Sequence, residues 1–335
     1  MDSNEVQVNS KKTKINMISS IKNKISGFRE GALILVILVL IIVMANISKS
    51  FLTSGNMIAT FIGISTDGIV VAGMTIALIA GDFDLSVGSL AGLAGVIAGK
   101  LFLSGVSIWI AALAAIVVVT ICGVINGLLI TKVGLSSFIA TLGMMGLARG
   151  MCLIITKGTP LSLFSMPAAY KNIGGGKIIG IPYIILIFLI ITIISDFLLR
   201  KTGLLRKVFY TGSNIKAAMY SGINTDRVKI GVFALTAFAA SIAGIISIAR
   251  FTVAAPSYGT GLEMTAISAA VIGGVSLSGG EGTILGAVLG IILLGMINSA
   301  LVILNVSVYW QQMISSIILL VAVSFDIINH KRRSR

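Results

Sequence analysis

Long apolar runs follow one another along nearly the whole chain, separated by short polar stretches. They lie at 31–48, 57–80, 85–99, 107–131, 136–156, 178–199, 230–249, 262–277, 283–304 and 309–328. A helical crossing of the bilayer takes roughly 20 apolar residues, so each run is a candidate span. Runs 85–99 and 262–277 are short and predict tilted, broken or re-entrant segments. The pattern therefore predicts an all-α, polytopic membrane protein of about ten transmembrane helices over residues 31–328. A basic segment, 1–30, precedes it and a basic tail, 329–335, follows. In the first segment, Ile18, Ile21, Ile25 and Phe28 recur at helical spacing among Lys22, Lys24 and Arg29. That pattern reads either as a helix lying on the inner membrane surface or as a polar tail. The long basic region, with no small-residue cleavage site after the apolar run, disfavours a cleaved signal peptide.

Composition agrees with lipid as the solvent. The chain has 335 residues, 56% hydrophobic and 11% charged, and a mean hydropathy of +1.07. A water-soluble fold of that apolarity would lack the polar residues to cover its surface. The 38 glycines suit close packing of membrane helices. A net charge of +14 raises the question of nucleic acid. The basic residues lie at the termini and in connecting loops, not on an aromatic-studded soluble domain, so no nucleic-acid partner is expected. Cys122 and Cys152 fall inside apolar runs and read as packed small residues.

The same charges set an orientation. With ten spans both termini share one side, and the loop at 200–229 joins them there. Eighteen Lys/Arg then lie on that side and six on the other: Lys49, Lys100, Lys157, Lys171, Lys177 and Arg250. The Lys/Arg-rich side is cytoplasmic. Residues 200–229 carry seven Lys/Arg against one acid, Asp226. Their centre, NIKAAMYSGIN, has a small-residue helical pattern stopped by Ser221-Gly222. A short helix held below the membrane can receive force from a soluble partner. On the opposite side, 157–181 is the longest predicted loop, with three Lys, two Pro and no acid. It reads as a docking surface for an acidic-rimmed partner or as a connector.

Chemistry-bearing residues are sparse. No His/Cys/carboxylate cluster has metal-ligand spacing, the single His is His330, and no phosphate-binding loop is present. No catalytic constellation, cofactor or metal is expected, which disfavours a membrane enzyme. Asp67, Arg149 and Glu263 are the main ionisable residues within spans. A charge at mid-bilayer costs roughly 2.5–3.5 kcal/mol on insertion scales, so each should face protein or water. Asp67 and Arg149, with Asn126 and Asn298, are candidate lining of a translocation pathway. For Asp67 and Arg149 a structural pair is the competing reading, and for Glu263 a structural role is favoured. Asp82 and Asp84 sit between spans two and three. Asp84 is expected to begin the next helix and accept its free N–H groups. Glu281, in the corresponding later loop, is expected to be solvated.

A faint repeat aligns Gly81, Leu85, Ser86 and Gly88 with Gly273, Leu277, Ser278 and Gly280. Gly123-Val-Ile-Asn126 also echoes Gly295-Met-Ile-Asn298. Interrupted, Gly-rich segments in two halves point to a duplicated transporter; the other source is chance in a Gly/Ser/Leu-rich chain.

Five segments resemble one family: GMTIALIAGDFDLSVGS (73–89), NGLLITKVGLSSFIATLGMMGLARG (126–150), TGSNIKAAMYSGINTDRVKI (211–230), AVIGGVSLSGGEGTILG (270–286) and YWQQMISSIILLVAVSFD (309–326). They are similar to the permease subunits of bacterial sugar ABC importers, the ribose-permease-like family. The likeness runs from about residue 31 to the C-terminus. It implies an inner-membrane channel subunit paired with a second permease copy or a sister permease. It also implies a cytoplasmic ATPase and an extracytoplasmic solute-binding protein as partners. By the same resemblance Asn214, Ala217, Ala218, Ser221, Gly222 and Asn224 form the ATPase-coupling segment. Asp82 stands where such permeases more usually carry Gly. The alternative reading of the residues is an ion-coupled secondary carrier.

Overall fold

The computed structural model describes residues 29–333. Expectations for residues 1–28 lie outside the described residues. The helices are α1 (Arg29–Ile47), α2 (Ser54–Ile79), α3 (Val87–Leu103), α4 (Ile108–Leu128, with a π turn Leu129–Val133) and α5 (Ser137–Thr156). They continue as α6 (Ala168–Gly175), α7 (Tyr183–Lys201), α8 (Gly203–Ser213), α9 (Ile215–Tyr220) and α10 (Thr225–Phe251), then α11 (Leu262–Ile272), α12 (Ile284–Ile303) and α13 (Val308–Arg333). Two minimal antiparallel pairs join β1 (Leu161–Ser162) to β4 (Val253–Ala254) and β2 (Lys177–Ile178) to β3 (Ile181–Pro182). Seven helices are long and apolar enough to cross a membrane, and α3, α11 and the Val308–Ser324 part of α13 are shorter apolar helices. The chain is thus an all-α polytopic membrane protein, with ten apolar helices among the described residues.

Helix ends differ from the sequence expectation where tertiary contacts extend or cut the apolar pattern. Span 178–199 begins only at Tyr183, because 177–182 form a hairpin. Span 230–249 starts at Thr225, where the Asn224 side chain accepts the N–H of Arg227. That cap satisfies one of the free donors of the first turn. The segment predicted at 262–277 is helical only to Ile272. The helix of α13 runs on through Arg333, into the stretch expected as a tail.

Two helices form the centre. α2 and α10 are 83% and 78% buried over their apolar windows, against 11% for α1. α10 packs on α2, α3 and α4. Its small residues, including Ala237, Ala240, Ala243 and Gly244, let neighbouring backbones come close. A Cβ at Gly244 would overlap the Ala91 carbonyl of α3. Peripheral α1 and α7 instead present Leu, Ile and Val outward, as a lipid-facing surface does.

Several helices end in one and the same turn, found after α2 and α11 and again after α9. After α2, N–H groups of Ala80, Gly81 and Asp82 donate to the carbonyls of Ile76, Leu78 and Ala77. After α11, Gly273, Gly274 and Val275 repeat this with Ala269, Val271 and Ala270. Gly81 and Gly274 both take the left-handed conformation (φ 80° and 86°) that glycine tolerates, as Gly222 does after α9. The turn at 104–107 recurs at 304–307, with Val106 and Val306 donating to Leu101 and Leu301.

The short α11 has a physical reason. Residues 252–261 leave α10 and run back along α3 as irregular chain before α11 begins. Cβ atoms added at Gly99, Gly92 and Gly88 would meet Ala254, Tyr258 and Gly259 in turn. Gly88 and Gly259 touch backbone to backbone, which no side chain at either position would allow. Irregular backbone at membrane depth persists only when protein or a wet cavity satisfies it. Here α3 covers one flank.

Candidate functional site

The unwound segment borders a polar cavity between α2, α11, α12 and α13. One compartment of about 290 Å³ includes Asn56, Thr60, Asp67, Asn298 and Ser299. A second, of about 810 Å³, includes Tyr258, Thr260, Asp67, Asn298 and Gln312. The compartments meet at Asp67, Thr265, Leu294 and Asn298. Some lining groups are spent on the protein itself. The Asn56 amide donates to Ser299 Oγ at 3.1 Å and to the Phe51 carbonyl at 2.8 Å. Thr60 Oγ1 donates to Ser299 Oγ at 2.9 Å. Asp67 and Asn298 face the cavity with no side-chain hydrogen bond to the chain among the described residues. Arg250, at the end of α10, acts on Asp67 electrostatically without lining either compartment.

Arg149 and Asn126 lie elsewhere. Arg149, on α5, donates to the carbonyl oxygens of Pro256 and Tyr258, the second at 3.0 Å. Its guanidinium supplies the donors that the unwound segment cannot find in a helix. Glu263, at the start of α11, lies in the field of Arg149. Both charges therefore hold the helix break. Asn126 is fully buried in α4 and donates to Ser86 Oγ at 3.1 Å.

The loop at 80–86 is a second polar centre. The expectation that Asp84 starts the next helix is corrected: α3 begins at Val87. Asp84 Oδ1 accepts from the backbone and hydroxyl of Ser86, and its Oδ2 accepts from Thr236 Oγ1 of α10 at 2.8 Å. Burial pushes its carboxyl above the ordinary carboxylate value, opposed by these hydrogen bonds. Asp84 is thus a bridge between helices. Asp82 Oδ2 pairs with Lys229 Nζ of α10 at 2.8 Å, and both side chains are largely buried. Gly88 packs on Gly259 as described. Ser278 and Gly280 sit in the corresponding loop, with Ser278 N–H donating to Ser276 Oγ and Gly280 N–H to the Ile79 carbonyl. Glu281 is exposed.

Those two loops meet the segment between α7 and α10. A Cβ at Gly212 would overlap the Ile79 carbonyl and crowd the Gly280 amide, and one at Gly280 would strike Ser213. The segment then turns outward as α9. Asn214 caps it by accepting from the Ala217 N–H at 3.0 Å. Ser221 ends it, and Gly222 takes φ 80° while Ile223 N–H returns to the Ala218 carbonyl. Ala218 is only 3% exposed, packed on its own chain, whereas Met219 and Tyr220 are 58% and 92% exposed. Ala217, Ser221, Gly222 and Asn224 are exposed as well. Sequence reasoning passed over Met219 and Tyr220 because it sought small residues; two apolar side chains in a basic loop were the available signal.

On the other face, 157–182 is a folded cap. Tyr170 of α6 is buried and stacks edge-on against Trp109 at 5.2 Å between centroids. Gly174 sits directly on the Ala249–Arg250 backbone. β1 pairs with β4 at the start of the unwound segment.

Comparisons with known proteins agree with this architecture. A permease family described as "Branched-chain amino acid transport system / permease component" matches residues 56–323. The ribose import permease protein RbsC of Escherichia coli (strain K12) is 36% identical over 295 residues, covering 88% of this chain and 92% of its own. That of Bacillus subtilis (strain 168) is 34% identical over 288 residues, covering 86% and 89%. The autoinducer 2 import system permease protein LsrC of Salmonella typhi is 32% identical over 302 residues, covering 90% and 86%. No solved structure matches. The chain belongs to this permease family: it is a multi-pass transport permease subunit, not an enzyme.

Proposed function

We propose that this chain is the permease subunit of an ATP-driven, binding-protein-dependent importer of a monosaccharide or related small polar solute. One observation carries the reading: the 203–224 segment is packed onto both helix breaks and also projects an apolar knob. Through Gly212 and Ser213 it touches the loops that end α2 and precede α12. Through Met219 and Tyr220 it offers a surface that no span covers. A cytoplasmic ATPase gripping that knob would move the ends of the helices lining the polar cavity. The solute-binding protein would dock on the opposite cap around 157–182 and favour the other opening. Each partner must bind the two states unequally for transport to be driven.

The lining supports a neutral, polyhydroxylated solute. Among the described residues no Lys, Arg or His lines either compartment. A solute carboxylate or phosphate would find no counter-charge there, whereas hydroxyl groups would find amides, hydroxyls and a carboxyl. The ribose and autoinducer 2 permeases among its relatives point the same way. We place the chain in the inner (plasma) membrane with both termini and 202–224 cytoplasmic, paired with a second permease copy or a sister permease. The 329–335 stretch would then lie on the cytoplasmic side.

Reconstitution in liposomes with the cognate ATPase and binding protein tests the reading. The expected result is ligand-stimulated ATP hydrolysis with solute uptake, and no hydrolysis by this chain alone. Uptake by this chain alone, driven by an ion gradient, would establish a secondary carrier instead.

A further inference from the structure

The cavity distinguishes two kinds of polar residue. Asn56, Thr60 and Ser299 satisfy one another. Asp67 on α2 and Asn298 on α12 do not, although both line both compartments and sit where these meet. Neither is sealed off: Asp67 is half-buried and Asn298 exposed, so their polar atoms are open to whatever occupies the cavity. Two such groups on facing helices can grip one solute from both sides. Water alone would fill a pathway, but a bare aqueous channel needs no carboxyl and amide on facing helices.

We propose that Asp67 and Asn298 form a solute-recognition site inside the permease, binding hydroxyl groups of a neutral polyhydroxylated solute in transit. This rests on the importer reading above and adds a selectivity step after the binding protein lets go. The carboxyl of Asp67 accepts from solute hydroxyls. The Asn298 amide both donates and accepts, so it matches a hydroxyl in either sense. Leu294, between them, offers an apolar contact for the carbon-bound face of a sugar ring. Arg250 acts on Asp67 from outside the lining, and no cation lines the site among the described residues, so it stays uninviting to anions.

Sites that hydrogen-bond a solute hydroxyl discriminate strongly against analogues that lack it, because buried polar groups are then left unpaired. The test uses the permease reconstituted with its ATPase and its binding protein. A panel of radiolabelled D-ribose, D-xylose, D-galactose and L-leucine identifies a transported probe. Asp67→Asn, Asp67→Ala and Asn298→Leu are then compared with the parent for uptake per ATP hydrolysed. In such a system half-saturation is set by the binding protein, so the site shows in maximal uptake, not in affinity. The expected result is uptake per ATP lowered about tenfold or more in Asp67→Ala and Asn298→Leu, with stimulation of hydrolysis by the loaded binding protein retained. Asp67→Asn, which keeps a hydroxyl-binding group, should recover part of the uptake. A merely structural role would lower hydrolysis and uptake together, and that result overturns the site. So does normal uptake per ATP in both variants. A parent complex that moves no sugar of the panel overturns the sugar-importer reading instead.

Discussion

The Arg149 guanidinium lies 3.0 Å from the Tyr258 carbonyl oxygen, joining α5 to the segment that runs back along α3. It donates to the Pro256 carbonyl as well. One terminal nitrogen of the guanidinium makes both contacts.

Arg149→Leu should therefore leave both carbonyls unpaired. The expected loss is about 2–5 kcal/mol, the cost of stranding buried polar groups. Thermal unfolding in detergent should show a lowered midpoint, with Arg149→Lys between parent and Leu. An unchanged midpoint in Arg149→Leu would show that water, not Arg149, satisfies the segment.

The seam between α3 and the same segment makes a steric prediction. Gly88→Ala places a methyl on the Gly259 carbonyl, which is backbone and cannot swing away. That variant should express poorly or elute as aggregate in size-exclusion chromatography. Gly143→Ala, on α5 with open space around it, should behave like the parent.

Lys229 and Asp82 couple the start of α10 to the end of α2 at 2.8 Å. A double-mutant cycle of Lys229→Met and Asp82→Asn should give a coupling of about 1–3 kcal/mol, as for a largely buried pair in direct contact. In reconstituted transport each single variant should hydrolyse ATP with reduced uptake. Additive stability effects would remove the pair from the transmission path.

The projecting face of α9 predicts a split between its residues. Tyr220→Glu and Met219→Glu should leave the permease folded in the membrane but abolish co-purification of the ATPase, because a charge enters an apolar contact. Lys216→Arg should be nearly silent. Ala218→Glu should damage the permease itself, since Ala218 is buried against its own chain. Normal ATPase capture by Tyr220→Glu would exclude this knob as the coupling element.

Orientation can be read with cysteines at Ser221 and Gly175 after replacing Cys122 and Cys152. An impermeant maleimide applied to intact cells should label position 175 and not 221. Both sites are exposed and sterically open. Gly212 is unsuitable as a reporter, because any side chain there strikes the Ile79 carbonyl. Labelling of 221 alone would invert the topology.

Much of this protein is legible in its sequence. The ten apolar runs correspond to the ten apolar helices, because a membrane span must be long, apolar and hydrogen-bonded within itself. The cap at Asn214 and the stop at Ser221-Gly222 could be read because they are local: an Asx side chain and a left-handed glycine act within a few residues. Five motifs in order sufficed for the family.

Tertiary structure alone decided which polar residues belong together. Asp67 and Arg149 look alike in the sequence, as lone charges in apolar runs. One faces a cavity beside Asn298, and the other serves carbonyls of residues 256 and 258. Nor could local pattern reveal that 252–261, read from the sequence as a connection between two runs, would fold back along α3. That outcome depends on the glycines of α3, remote in sequence, which let a bare backbone lie against the helix. Local sequence sets where a chain can be helical, because helical hydrogen bonds close within four residues; which side chains share a cavity depends on helices meeting across more than 200 residues, and only packing settles that.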